Sequence, residues 1–320
     1  MSTPPASHDI HAEPPTALGV VDGADLTGKN CVITGASSGL GRESARALAA
    51  AGARVILAAR NRDALAETQT WVHTAYPDAR IAAVQLDLTS LSSIRAAAAA
   101  IQDLASSIHV LMNNAGVMFT PFDRTVDGFE MQFGTNHLGH FELTRLLIPQ
   151  LVAASGARVV ILSSDGHRMS DLDFDDPNWE RRDYDKFLAY GASKTANILH
   201  MVELDRRFRD DGIGSYAVHP GIVATGLARH MGKKDFAHLA DRAAAERKRD
   251  APAVDVTRDF VLPDRGAATQ VWAAVAPELD DVGSAYLADC RIRTDVAPYA
   301  LDEQRAARLW SLSETLCDDR

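Results

Sequence analysis

The chain has little of several things. Only three cysteines occur in 320 residues, Cys31, Cys290 and Cys317. They are odd in number and far apart, which argues against a disulfide framework, suits a reducing compartment and offers no metal-type spacing. No run of about eighteen apolar residues exists, so no membrane span is expected. Positive charge is short as well: the formal net charge is −10. Nucleic acid and anionic membrane surfaces both demand a basic face, so neither is an expected partner. The first stretch, MSTPPASHDIHAEPPTALGVV, lacks the basic-then-apolar order of a secretory signal, and a cytoplasmic location is expected. Repeats and shifts of composition are missing too. The expectation is a loosely ordered tail over residues 1–20 and a single domain over 21–320. Hydrophobic residues make up 46% of the chain, enough for one large core.

What is present alternates. NCVITG (30–35) is a β-branched run ending in glycine, and ESARALAAAG (43–52) has helical spacing with Gly52 as a stop. ARVILAAR (53–60), IAAVQLDL (81–88), IHVLMNNAG (108–116), ARVVILSS (157–164) and SYAVHPG (215–221) read as further strands between helix-like segments. Their apolar residues are continuous, which means burial on both faces. SAYLADCRI (284–292) reads as one more strand. The fold class is therefore α/β, a single doubly wound Rossmann domain of about seven parallel strands with helices on both faces.

TGASSGLGR joins the first strand to the first long helix and holds Gly35, Gly39 and Gly41 around Ser37, Ser38 and Leu40. Glycines in such a turn let backbone approach a pyrophosphate, and the helix start offers it free N–H groups. The spacing is not the usual dinucleotide fingerprint, but the placement on the first strand-to-helix turn fits. At the end of the second strand an acid would bond the ribose hydroxyls of NAD, whereas arginine accommodates the phosphate of NADP. The residue there is Arg60, and no acid follows until Asp63. NADP is expected, with NAD left open.

YGASK puts Tyr190 and Lys194 four residues apart, on one face of a helix. A cation beside a phenol favours phenolate, so the spacing predicts a lowered tyrosine pKa and a general acid/base. Tyr184 is no rival, because Leu188 stands four residues after it. His137 and His140 are three apart with no evident third ligand, so no metal site is expected. His167 receives no role.

In order along the chain, TGASSGLG, NNAG (113–116), TNHLGHF (135–141), ILSS (161–164), YGASK and HPGIVAT (219–225) closely resemble the short-chain dehydrogenase/reductase family. LAARN after the second strand and the late YLADC resemble its retinol-dehydrogenase-like branch. The resemblance implies that Tyr190 exchanges a proton with the reacting oxygen. Lys194 lowers its pKa and binds the nicotinamide ribose. Ser164 bonds the reacting oxygen, and Asn136 holds a water in a proton relay through Lys194. It further implies that Asp87 and Leu88 border the adenine, and that Asn114, Ala115 and Gly116 line the groove. Pro220, Val223 and Thr225 would hold the carboxamide.

The connection between Ser164 and Tyr190 is longer than in many family members, and its extra residues are expected to wall the substrate site. Residues 226–262 are expected to form a lid, with Phe236, Leu239, Ala240 and Ala243 as its apolar underside. The substrate expected is a medium-sized lipophilic alcohol, aldehyde or ketone, not a sugar or charged acid. Association between copies stays open. Two other readings stay open as well: a dinucleotide-binding redox sensor without turnover, and a nucleotide-sugar epimerase-like enzyme.

Overall fold

The computed structural model describes residues 15–223, 225–235, 237, 239 and 260–320. Eight strands form one sheet: β1 (Asn30–Thr34), β2 (Arg54–Ala59), β3 (Arg80–Gln85), β4 (Val110–Asn113), β5 (Ala157–Leu162), β6 (Ile213–His219), β7 (Ala285–Ala288) and β8 (Arg291–Arg293). Their order is β3-β2-β1-β4-β5-β6-β7-β8, and the first seven run parallel. The order reverses between β1 and β4. There the two halves of the sheet diverge and leave a crevice beyond their carboxyl ends, where open α/β sheets bind ligands.

The eighth strand is a correction. The stretch 284–292 does not run on as one strand. Asp289 and Cys290 both take φ 52°, which makes a two-residue turn, and β8 returns antiparallel to β7. Two successive left-handed residues match the twist of the flanking strands, which is why this turn type joins hairpins. Arg291 and Arg293 stand on the sheet edge this creates, and edge charges oppose pairing with other chains.

Apolar residues alternate between two cores. Val32 and Ile56 point to one face, where α4 (Leu91–Leu104), α6 (Gly139–Val152), α7 (Lys186–Phe208) and the last helix α10 (Glu303–Asp318) pack. Cys31, Ile33, Val55 and Leu57 point to the other, against α2 (Gly39–Ala50), α3 (Arg62–Ala75) and α9 (Ala268–Val275). α8 (Pro263–Gly266) leads into α9. Each fully buried aliphatic side chain contributes about 1.5–3 kcal/mol, so these two layers are the main source of stability. None of the described helices is long and apolar enough to cross a membrane.

The stretch read as a tail over 1–20 is partly folded. Ala17–Val20 forms the short helix α1, capped by Thr16 accepting from Gly19 N–H, and Ala17 is buried. Its apolar residues have a place in the second core, which proline content alone did not reveal.

Between β4 and α6 lies a local departure from regular helix. α5 (Met131–Phe133) passes into a π-helical turn, Gly134–Leu138, and the Gly139 N–H reaches back to the Gly134 carbonyl. One extra residue in a turn frees carbonyls from the helical ladder.

Candidate active site

α2 begins four residues earlier than its apolar spacing indicates, inside the glycine motif. Gly39 and Gly41 belong to its first turn, and Ser38 at its N-cap makes no side-chain bond to the helix N–H groups. Gly41 cannot be replaced without movement: a Cβ there would lie 2.5 Å from the Gly35 carbonyl oxygen. Gly35 itself has φ +65°, and its Cβ would meet the Ala115 backbone at 2.9 Å. Small residues thus let the β1 turn, α2 and the β4 end close on one another. Asn114 fixes that junction by donating to the Thr34 carbonyl at 2.7 Å.

A cleft of about 810 Å³ opens over this junction. Gly35, Ser37, Ser38, Gly39, Leu40, Arg60, Asp87, Leu88, Asn114, Ala115, Gly116 and Thr225 line it. Gly41 lies beneath, as packing. Arg60 is exposed at one end, beside Asn61, which caps α3 through Ala64 N–H. A second cavity of about 330 Å³ adjoins the first through Leu40, Asn114, Gly116, Leu162 and Thr225. It contains Ser164, Tyr190, Lys194, Pro220 and Val223, with Met118, Phe119, Met169 and Met231 among its apolar walls. The pair is of the size ligand sites usually have. A long cleft with a helix start and a guanidinium fits an anionic dinucleotide, and the smaller cavity fits a substrate.

Tyr190 and Lys194 share one face of α7, a helix started by Asp185 accepting from Phe187 and Leu188 N–H. Ser163 and Ser164 diverge as extended residues do. The Ser163 hydroxyl donates to the Lys194 carbonyl at 2.9 Å, while Ser164 faces the cavity and bonds the Tyr190 hydroxyl. The Ser164 oxygen also accepts from Gly166 N–H at 3.0 Å. The Phe119 ring stands edge-on to the Tyr190 ring, centroids 5.0 Å apart. Phe119 adopts φ 53°, a placement no sequence signal announced.

The expected lowering of the phenol pKa is not what the chain's own groups produce. Burial pushes Tyr190 up to about 12, with the Ser164 hydrogen bond acting in the opposite direction. The Lys194 ammonium lies 5.6 Å from the Tyr190 ring centre and donates to the Leu162 carbonyl at 2.9 Å. Burial also brings Lys194 down to about 7. Helical spacing put the two groups on one face, but desolvation disfavours both charged forms.

Asn136 does not line either cavity. Its side chain accepts from Val117 N–H at 2.8 Å and donates to the Val117 carbonyl and the Ser193 hydroxyl, both at 3.0 Å. It therefore holds the backbone that follows Gly116 rather than facing the substrate. The connection 165–189 meets the cavity with part of its length. Asp165, Gly166 and Met169 reach the substrate cavity. Trp179 packs on Tyr184, and Phe174 lies under Arg305 and Arg308 of α10. Phe174 thus finds its partners in the C-terminal helix, whereas Phe187 packs on Phe119 of the cavity wall, ring centroids 4.6 Å apart.

His137 donates or accepts at Ser313 and stacks on Phe133, whereas His140 meets Thr34 and Asn136, so the two do not converge. Among the described residues no cluster of metal-ligating side chains forms. Of the expected lid, Gly226, Leu227, Arg229 and His230 edge the larger cleft, and Leu239 and Phe260 the smaller cavity. Phe236, Ala240 and Ala243 lie outside the described residues.

The family model for short chain dehydrogenase matches residues 29–235. Mouse retinol dehydrogenase 14 is 38% identical over 303 residues, covering 91% of this chain and 86% of its own. Human retinol dehydrogenase 12 is 40% identical over 290 residues, covering 90% and 86%. The crystal structure of an uncharacterized protein from Mycobacterium Paratuberculosis superposes with a TM-score of 0.71 at 34% identity, over 96% of this chain and 98% of that one. With its glycine turn, its crevice at the sheet reversal and a tyrosine, lysine and serine gathered at one end of it, the chain belongs to the short-chain dehydrogenase family, in the retinol-dehydrogenase-like branch, and is an oxidoreductase.

Proposed function

We propose that the protein interconverts a lipophilic alcohol and its aldehyde or ketone, with NADP(H) as redox partner and Tyr190 as general acid/base. One observation carries this: the Tyr190 and Ser164 hydroxyls lie together in an apolar-walled cavity that opens into the cleft bearing Arg60. The dinucleotide supplies or accepts the hydride. The chain handles the proton. Tyr190 gives its hydroxyl proton to the substrate oxygen in reduction and takes one back in oxidation. Ser164 shares a hydrogen bond with that oxygen and holds it toward the phenol. Lys194, beside Tyr190 in the smaller cavity, would hold a ribose hydroxyl of the dinucleotide and, as ammonium, would stabilise negative charge forming on Tyr190.

Arg60 supports the cofactor choice. Among the described residues its guanidinium has no hydrogen-bond or ion-pair partner, and it edges the cleft where a ribose phosphate would arrive. The methionine and phenylalanine walls support an apolar substrate, since a polar one would lose hydrogen bonds on entry. Two relatives are named retinol dehydrogenases, and retinol is a lipophilic alcohol.

The test is spectrophotometric. Purified protein with NADPH and a panel of carbonyls should consume absorbance at the nicotinamide band, with aliphatic and aromatic carbonyls ahead of sugars and polyols. NADPH should bind at least about tenfold more tightly than NADH, and Arg60→Asp should narrow or reverse that gap. Equal affinities in the wild type sink the cofactor assignment, and faster turnover of polyols sinks the substrate class.

A further inference from the structure

His140 is fully enclosed between α6 and the carboxyl end of β1, and it touches neither cavity. Its two ring nitrogens have different partners. Nδ1 lies 3.0 Å from the Asn136 carbonyl oxygen, one π-helical turn back. Nε2 lies 2.8 Å from the Thr34 hydroxyl. A carbonyl oxygen only accepts, so Nδ1 carries a proton. The Thr34 oxygen accepts from Asn114 N–H at 2.9 Å and from Ala115 N–H at 3.0 Å. Both its lone pairs are then engaged, and its single proton goes to Nε2, a nearer acceptor than the Met112 carbonyl at 3.4 Å. Every donor and acceptor balances with a neutral ring in the Nδ1–H form and in no other state. Burial supports the neutral ring by bringing its pKa down to about 4.

The contacts run on in both directions. Thr34 ties the ring to the β1–β4 crevice through Asn114 and Ala115, both of which line the dinucleotide cleft. Asn136 ties it to α7: its side-chain amide donates to the Ser193 hydroxyl at 3.0 Å, and that hydroxyl donates to the Tyr190 carbonyl at 2.8 Å. The frame that holds the cofactor and the helix that holds the acid are thus joined through one imidazole.

We infer that His140, in its Nδ1–H form, is a positioning residue: it fixes the π-helical turn bearing Asn136 against the β1–β4 crevice and thereby sets where Tyr190 stands over the bound dinucleotide. It rests on the oxidoreductase function proposed above. Misplacing a reacting group by about 1 Å costs on the order of 100-fold in rate, so the effect belongs in kcat and not in cofactor affinity.

Four measurements test it. Imidazole nitrogen NMR of the wild-type protein at neutral pH should give His140 as the Nδ1–H tautomer; an Nε2–H ring or an imidazolium overturns the inference. His140→Phe keeps the ring volume and removes both nitrogens. It should lower kcat by about 10- to 100-fold while the NADPH dissociation constant changes less than about threefold. His140→Gln, whose amide offers one donor and one acceptor, should recover most of the lost kcat. In a double-mutant cycle with Thr34→Val, the pair should lose little more than the worse single variant, because both act through one connection. A normal kcat in His140→Phe, or losses that simply multiply, overturns it. The tautomer measurement needs no variant, so it stands even if His140→Phe does not fold. It also separates the two proposals: a wild type inactive on every carbonyl sinks the function, whereas a wrong tautomer sinks this inference alone.

Discussion

Burial moves Lys194 and Tyr190 toward their neutral forms, the amine down to about 7 and the phenol up to about 12, each because water is excluded from it. A phenol protonated across the neutral range is ready to donate, which serves carbonyl reduction. Oxidation needs phenolate, and an oxidised nicotinamide brings a positive charge that favours it. A difference-absorbance titration of wild type against Tyr190→Phe should therefore show no tyrosinate from Tyr190 below about pH 10 without dinucleotide, and a midpoint lower by at least about one unit with NADP+. An unchanged midpoint would leave the base for oxidation unexplained. The same Tyr190→Phe variant should bind NADPH normally and lose at least about 100-fold in kcat, the range typical of a lost general acid. The pairing of tyrosine and lysine was legible because both occupy a helix face fixed by short-range pattern, and Ser164 was legible only through the family resemblance of ILSS. The sign of the phenol shift was not, since burial is a property of the whole packed neighbourhood. What Asn136 touches was not legible, because the π-helical turn that carries it has no marker in TNHLG.

At the scale of elements, the parallel strands announced themselves by continuous apolar runs, which only burial on both faces explains. β8 stayed hidden because its turn is Asp289-Cys290, not the asparagine-glycine pair that usually marks a two-residue hairpin. Both residues are held in a left-handed backbone that costs them energy and that glycine adopts freely. The double variant Asp289→Asn with Cys290→Gly should raise the unfolding free energy by about 1 kcal/mol, read as a higher urea midpoint at unchanged slope. A lower midpoint would mean that the bond from Cys290 N–H to the Thr269 hydroxyl, at 3.1 Å, depends on the native turn shape. The connection 165–189 lines the cavity only through Asp165, Gly166 and Met169, and Phe174 lies elsewhere. An aromatic residue signals burial, but sequence cannot tell which surface receives it, and α10 arrives from the far end of the chain to receive Phe174.

Over the whole molecule, four imidazoles are buried among the described residues, and three of them, His137, His140 and His200, lie close enough to act on one another. Burial lowers His140 to about 4 and His200 to about 3, and His137 lies well below its usual value. The sign follows from proton counting. Between the unfolded pKa, near 6.5, and these lower folded values, the unfolded chain binds more protons. Their contribution to stability is complete above about pH 6.5 and declines as pH falls toward 4. The urea midpoint should therefore drop between pH 7.5 and pH 5, and His200→Leu should flatten that drop. Neither nitrogen of His200 has a hydrogen-bond partner, so the apolar replacement also removes an unpaired buried group. A drop of equal size in the variant would assign the acid sensitivity to carboxylates instead. The same core grips α7, whose residues from Ala189 to Asp205 are all buried, Tyr190 and Lys194 among them. Those two side chains can shift only if the packed interior shifts with them. Other parts of the substrate cavity wall are made differently, by methionines at positions 118, 169 and 231 and by the short turn Gly226–His230. Unbranched thioethers reshape around a guest at small cost. Inheritance can therefore act on the two parts separately: substitutions along that wall alter which molecule is accepted, generation after generation, while the reaction performed on it stays the same.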